Sequence, residues 1–96
     1  MTKARVLLRP YSFPWGNGQV VEEVSVNGEW HEPTVQLLES DDGTLSVRFC
    51  SYSHAGRFQR NPLVVSADDL AGLASALGES PRLRELLSLV LPPSGP

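Results

Sequence analysis

Thr44-Leu45-Ser46-Val47-Arg48-Phe49-Cys50-Ser51-Tyr52-Ser53 is the stretch whose reading decides the fold. Leu45, Val47 and Phe49 alternate with Ser46, Arg48, Cys50 and Tyr52. Successive strand residues point to opposite faces, so the run predicts a strand with one apolar face and one carrying Arg48 and Tyr52. Asp42-Gly43 just before it is a hairpin signal, and Thr34–Glu39 supplies the preceding strand. The expectation is an antiparallel sheet with its apolar side packed and its Arg48/Tyr52 side available.

Working outward, Gly16-Asn17-Gly18 and Asn27-Gly28 repeat the hairpin signal, each glycine offering the positive φ a tight turn needs. Strand-like runs at Ala4–Arg9, Gln19–Val26 and Glu29–His31 lie around them. Leu63-Val64-Val65 is a further short apolar strand. From Ser66 the period changes. Ser66-Ala67-Asp68-Asp69 reads as an N-cap with the Ser66 hydroxyl on a free backbone N–H and acids at the positive end of the dipole. Leu70, Leu73, Ala74 and Leu77 then recur at helical spacing, and Gly78 closes that helix in the left-handed conformation. Ser80-Pro81 opens a second helix, crowded with Leu83, Leu86, Leu87, Leu89, Val90 and Leu91. One side of it can pack on the sheet; Leu89 and Leu91 fall off that side and predict a partner subunit. The fold class is therefore α+β: an antiparallel meander of about four to six strands followed by one or two C-terminal helices. Residues 1–91 form a single domain, with 1–33 an N-terminal hairpin elaboration, 34–91 the sheet-plus-helix core, and 92–96 a disordered tail.

The chain has 96 residues, 41% hydrophobic and 20% charged, which is the composition of one globular domain. A single cysteine, Cys50, excludes an intrachain disulfide. No apolar run is long enough for a membrane helix or a signal segment, so the expected location is cytoplasmic. The formal net charge of −3 argues against indiscriminate attraction to phosphate. The basic residues are uneven, however: Lys3, Arg5, Arg9, Arg48, Arg57 and Arg60 all fall at or before position 60.

Arg57-Phe58-Gln59-Arg60 is a basic, aromatic loop beside the Arg48/Tyr52 strand. Aromatic faces stack on bases and arginines neutralise phosphates, so Arg48, Tyr52, Arg57, Phe58 and Arg60 are the candidate nucleic-acid-binding residues. The alternative is that the arginines are solvated or paired with Glu39, Asp41 or Asp42, and that Phe58 plugs the core beneath the loop. Trp15 and Trp30 sit beside turns and are expected to close the ends of the core. His31, His54 and Cys50 make no recognised metal spacing, and no metal or other cofactor is expected. Cys50 lacks a partnered base, so it is expected to be a buried or half-buried thiol. Glu22-Glu23 reads as a solvated strand edge, its two carboxylates on opposite faces. No nucleophile–base or carboxylate pair assembles, so no enzyme and no small-molecule substrate is expected.

The order of Val35-Gln36-Leu37-Leu38, Asp42-Gly43, Leu45–Tyr52, Gly56-Arg57-Phe58-Gln59-Arg60, Leu63-Val64-Val65-Ser66 and the helix from Ala67 resembles the transcriptional positive-cofactor family. These are single-stranded-DNA-binding proteins related to the plant Whirly proteins, and the resemblance spans roughly residues 34–90. It implies a curved antiparallel sheet, a homodimer formed partly through helices, and single strands crossing the sheet. Arg48 and Tyr52 match the exposed strand residues; Arg57 and Arg60 match the basic loop. The family's lysine- and glycine-rich run is replaced here by Asn61-Pro62. Two functions follow as expectations: a non-catalytic single-stranded DNA- or RNA-binding protein of transcription or DNA maintenance, or a protein-interaction module on the same scaffold. In either case Leu83, Leu86, Leu87, Leu89, Val90 and Leu91 are the expected dimer interface.

Overall fold

A computed structural model describes residues 7–14, 16–59 and 62–91. The strands are β1 (Arg9–Phe13), β2 (Gly16–Ser25), β3 (Glu32–Ser40), β4 (Leu45–Tyr52) and β5 (Leu63–Ser66). They pair in chain order as one antiparallel meander of five strands. Helices α1 (Ala67–Leu77) and α2 (Pro81–Leu87) follow, and a single 3₁₀ turn, Ser88–Val90, ends the described chain. The α+β reading holds. Trp15, Arg60, residues 1–6 and the tail at 92–96 lie outside the described residues.

Several local expectations move. Gly16 and Gly18 belong to β2 rather than to a turn, and Glu29–His31 forms no strand. Positive φ is adopted at Gly43, at the β3–β4 turn, and at Gly56, in the loop after β4. Ser66 does precede α1, but its side chain makes no capping hydrogen bond. Gly78 stays right-handed, because the chain runs on through a turn whose Ser80 N–H reaches the Leu77 carbonyl at 3.0 Å.

A bulge in β2 sets which side chains share a face. Val20 opposes Leu38, Val21 is skipped, and Glu22 opposes Leu37. The extra residue reverses the alternation, so Val20 and Glu23 both join Gln36, Leu38 and Arg48 on one face. Arg9, Tyr11 and Phe13 of β1 lie on it as well, opposite Val20, Gly18 and Gly16. In a flat sheet β1 and β4 would be about 14 Å apart. Instead Arg9 Nη2 lies 3.4 Å from the Tyr52 hydroxyl, and the Arg48 guanidinium carbon 6.0 Å from the Phe13 ring centre. The sheet therefore curls onto this face, as strongly twisted and bulged sheets do.

Curling buries the polar face. Arg48 is 8% exposed, Tyr52 7%, Gln36 1%, Thr34 3% and Glu32 4%. The apolar face is left outside: Val24, Leu45, Phe49 and Leu63 are all exposed. The expectation of a packed apolar side and an available Arg48/Tyr52 side is thus inverted. The curl cannot enclose both faces of one sheet, and on the outer one Val65, opposite Val47, is buried while much of the rest is open. α1 approaches β4 and β5, whereas α2 touches only α1 and the terminal turn, and no residue of either helix is buried. Among the described residues the buried apolar side chains are only Val20, Leu38, Tyr52 and Val65.

Candidate binding site on the inner face

The inner face is built around Gln36, whose amide is fully used. Its Nε2 donates to Glu23 Oε2 at 2.6 Å and to the Tyr52 hydroxyl at 3.0 Å. Its Oε1 accepts from Arg48 Nε at 2.6 Å. An amide has two N–H donors on one atom and acceptor lone pairs on the other, so these partners fix its orientation. Glu23 in turn holds Arg9 through a 2.8 Å ion pair, with the Glu23 side chain only 5% exposed. That contact raises the Arg9 pKa: the hydrogen bond to Glu23 outweighs the cost of partial burial.

The loop after β4 folds back over this network. Ser53 N–H donates to the Arg57 carbonyl at 2.8 Å, and Gln59 N–H donates to the Ser51 carbonyl at 2.9 Å. Gly56, at φ 88°, makes the reversal, which an L side chain would resist. Phe58 consequently lands edge-on against Tyr52 at 5.4 Å and 4.9 Å from the Arg48 guanidinium. His54 leans the other way, with Nδ1 3.5 Å from the buried Glu32 carboxylate.

On the inner face runs an open groove of about 420 Å³, lined among others by Tyr11, Phe13, Leu38, Ser46, Val64, Asp41 and Asp42. Tyr11 and Phe13 pack as a tilted pair at 5.1 Å. Gly18 permits this wall, because a Cβ there would stand 2.7 Å from the Tyr11 hydroxyl and 2.6 Å from Ser40 Cα. The Tyr11 pKa is raised, chiefly by burial and then by Asp41, while the positive charge of Arg48 pulls it down. At the groove's outer end Asp42 is committed to the β3–β4 turn. It accepts from Thr44 N–H at 3.0 Å, from the Thr44 hydroxyl at 2.8 Å and from the Ser40 hydroxyl, which lowers its pKa to about 2.

Of the five candidate residues, Arg48, Tyr52 and Phe58 come together; Arg48 and Tyr52 are buried, and Phe58 stays 39% exposed above them. Arg57 is exposed at the rim; its backbone N–H donates to Ser53 Oγ at 3.0 Å, and among the described residues its guanidinium has no partner. Arg60 lies outside the described residues. Trp30, expected to close the core, is 83% exposed. Cys50 is half-buried, as expected. The sequence reading missed Arg9, Glu23 and Gln36. Glu23 was placed at a solvated edge; it and Glu22 do face opposite ways, yet the bulge turns Glu23 inward. Among the described residues no His, Cys, Asp or Glu side chains group as a metal cage, and no helix is long and apolar enough to cross a membrane.

The candidate dimer residues cluster at the chain's end. Leu83, Leu86, Leu87, Leu89, Val90 and Leu91 are all exposed, from 43% at Leu87 to 78% at Leu89. They are joined by the outer sheet face, where a shallow depression runs between Val24, Val35, Leu37 and Val47. Compared with family models, curated proteins and solved structures, the chain matches none, so the site stands on its own geometry.

Proposed function

We propose that this protein is an interaction module that assembles first with a second copy of itself, through the outer sheet face and the C-terminal helices. The observation that carries this reading is apolar exposure on the described strands and helices. Phe49 (43%), Leu63 (60%) and Val24 (67%) on the outer sheet face, and Leu86 (65%) and Leu89 (78%) in the C-terminal helices, all face solvent. Large apolar side chains left exposed in this number mark an interface rather than solvent-facing surface.

Sedimentation equilibrium tests the reading. The expected mass is twice the 10.5 kDa of the chain, and Phe49→Glu with Leu89→Glu should shift the population to monomer. A wild-type chain that stays monomeric at tens of micromolar overturns it.

A second reading, single-stranded nucleic-acid binding, is favoured by one observation: Arg57 is exposed, its guanidinium has no partner among the described residues, and it adjoins the partly exposed Phe58 (39%). The order of β3, β4, β5 and α1 also supports the resemblance to the positive-cofactor family. Against it, Glu23 and Glu32 lie on the same face as Arg9 and Arg48 and interrupt a positive track. Fluorescence anisotropy with a labelled oligonucleotide at low salt separates the readings. Binding that weakens with salt and is lost in Arg57→Ala supports the second; no binding removes it.

A further inference from the structure

The sheet has two free edges, and they differ. β1 is guarded by Pro10, which has no N–H to give to a further strand. β5 carries no such guard: Leu63-Val64-Val65-Ser66 holds neither charge nor proline. The direction of its backbone follows from the ladder. Ser40 N–H donates to the Thr44 carbonyl at 3.0 Å, and Gln59 N–H to the Ser51 carbonyl at 2.9 Å. With the unbroken registers of β3–β4 and β4–β5, that alternation turns Val47 and Phe49 toward β5, where Val65 and Leu63 answer them. Val64 N–H and C=O therefore point away from the sheet. So do Ser66 N–H and the Pro62 carbonyl, because each shares a trans peptide with a group turned toward β4. None of the four has a partner among the described residues. α1 leaves this edge clear, since it folds back over the sheet to approach β4 as well as β5.

We infer that β5 pairs antiparallel with β5 of a second copy about a two-fold axis at Val64, joining two five-stranded sheets into one. This rests on the self-assembly proposed above and adds its register. The pattern of donors and acceptors decides the occupant. Pro62 lacks an N–H, and Ser66, the N-cap of α1, gives its carbonyl to the first bond of that helix. The edge thus offers two donors, at Val64 and Ser66, and two acceptors, at Pro62 and Val64. Positions 62 and 66 are symmetric about 64, so a two-fold copy answers every group. Val64 pairs with Val64 in both directions, and each Ser66 N–H meets the Pro62 carbonyl of the other copy. The groups this pairing does without are the N–H that proline lacks and the carbonyl that α1 already holds. Such self-complementarity is what an isologous interface requires. A strand of four residues is short, so apolar contact must accompany the hydrogen bonds. Leu63, 60% exposed, would oppose Val65 of the second copy on the outer face, beside Phe49. The edge is therefore continuous with the open apolar face.

The test is amide hydrogen exchange of the full-length chain, read residue by residue by NMR, in the assembled wild type and in monomeric Leu89→Glu. Val64 and Ser66 N–H are expected to exchange at least about tenfold more slowly in the assembled protein. Val65 N–H, turned toward β4 in either state, serves as the internal control and should change less. Val64→Pro removes an N–H that the β4 ladder does not use, a position where an edge strand tolerates proline. It is expected to keep the far-ultraviolet spectrum and to raise the dissociation constant of the dimer at least about tenfold, as read by sedimentation. An assembled wild type whose Val64 N–H exchanges as fast as in the monomer overturns the edge pairing and leaves self-assembly standing, as does a folded Val64→Pro protein of wild-type affinity. A wild type that stays monomeric at tens of micromolar overturns both. Should Val64→Pro not fold, the exchange of wild-type Val64 decides alone.

Discussion

Replacing Gln36 with leucine tests the inner network most directly. The substitution keeps the bulk of the side chain but removes three hydrogen bonds at once, to Glu23, Tyr52 and Arg48. Two of these involve charged groups, for which a lost hydrogen bond costs about 1.5–3 kcal/mol each, and the third is worth about 1 kcal/mol. Glu23 retains Arg9, and Tyr52 keeps a longer contact with the same arginine, so neither is wholly abandoned. Arg48, 8% exposed, loses the only hydrogen bond it makes among the described residues. The expected loss is about 3–6 kcal/mol, a large share of the 5–15 kcal/mol that holds a typical domain together. Urea unfolding at one fixed protein concentration measures it, because an assembling chain has concentration-dependent stability. Adding Arg48→Met to Gln36→Leu should recover part of the loss, since an apolar pair leaves no buried donor behind. A Gln36→Leu protein within about 1 kcal/mol of wild type would refute the network's role. So would a double mutant that is no more stable than the single one.

Gly18→Ala should destabilise by about 1–3 kcal/mol through overpacking, because its Cβ would crowd the Tyr11 hydroxyl at 2.7 Å and Ser40 Cα at 2.6 Å; a melting temperature unchanged from wild type counts against that contact. Gly43→Ala costs about 1–2 kcal/mol for the left-handed backbone alone, since nothing stands near a Cβ at φ 89°. Denaturant midpoints should therefore move for Gly43→Ala and stay put for Gly16→Ala, which has equal space and ordinary φ. Asp42 should titrate with a midpoint near 2 rather than its ordinary 3.8. Its folded pKa is the lower one, so its support for the turn is present above its unfolded value and is lost as pH falls through about 2, as carboxyl chemical shifts would show.

Alternation in Leu45–Tyr52 and the helical spacing after Ser66 made the meander and the helices legible, because both periods are local. What the sequence could not display was which sheet face would be buried. Alternation separates Arg48 and Tyr52 from Val47 and Phe49 without saying where the curl goes. That depends on the bulge at Val20/Glu22 and on Gly18 letting Tyr11 cross β2. A bulge leaves no composition mark, so Glu23 was assigned to an edge. Gln36 was invisible for a similar reason: a single glutamine within Val35–Leu38 acquires its role only when Glu23, Tyr52 and Arg48 converge from three other positions. Arg57-Phe58 was legible as a loop, whereas the turn at Gly56 that folds Phe58 onto Arg48 closes through backbone hydrogen bonds. Gly78 shows the opposite error, since its surroundings continue as a turn and never require the left-handed state.

Burying polar side chains inside and leaving apolar ones outside separates assembly from the hydrogen-bond network on opposite faces of one sheet. Phe49 and Arg48 are consecutive, yet the strand sends them to different sides. Contact through Phe49, Leu63 and the helix end should thus leave the Gln36 network untouched, and assembly and the stability of that network should be separable by mutation. The Leu89→Glu substitution lies beyond α2, in a segment that touches no strand, so it perturbs assembly without altering the inner face. The expected outcome is a monomer with the far-ultraviolet spectrum of the wild type, while Gln36→Leu remains an assembled protein of lower stability. If Leu89→Glu unfolds the chain as it dissociates it, or Gln36→Leu dissociates while still folded, the independence of the two faces is wrong.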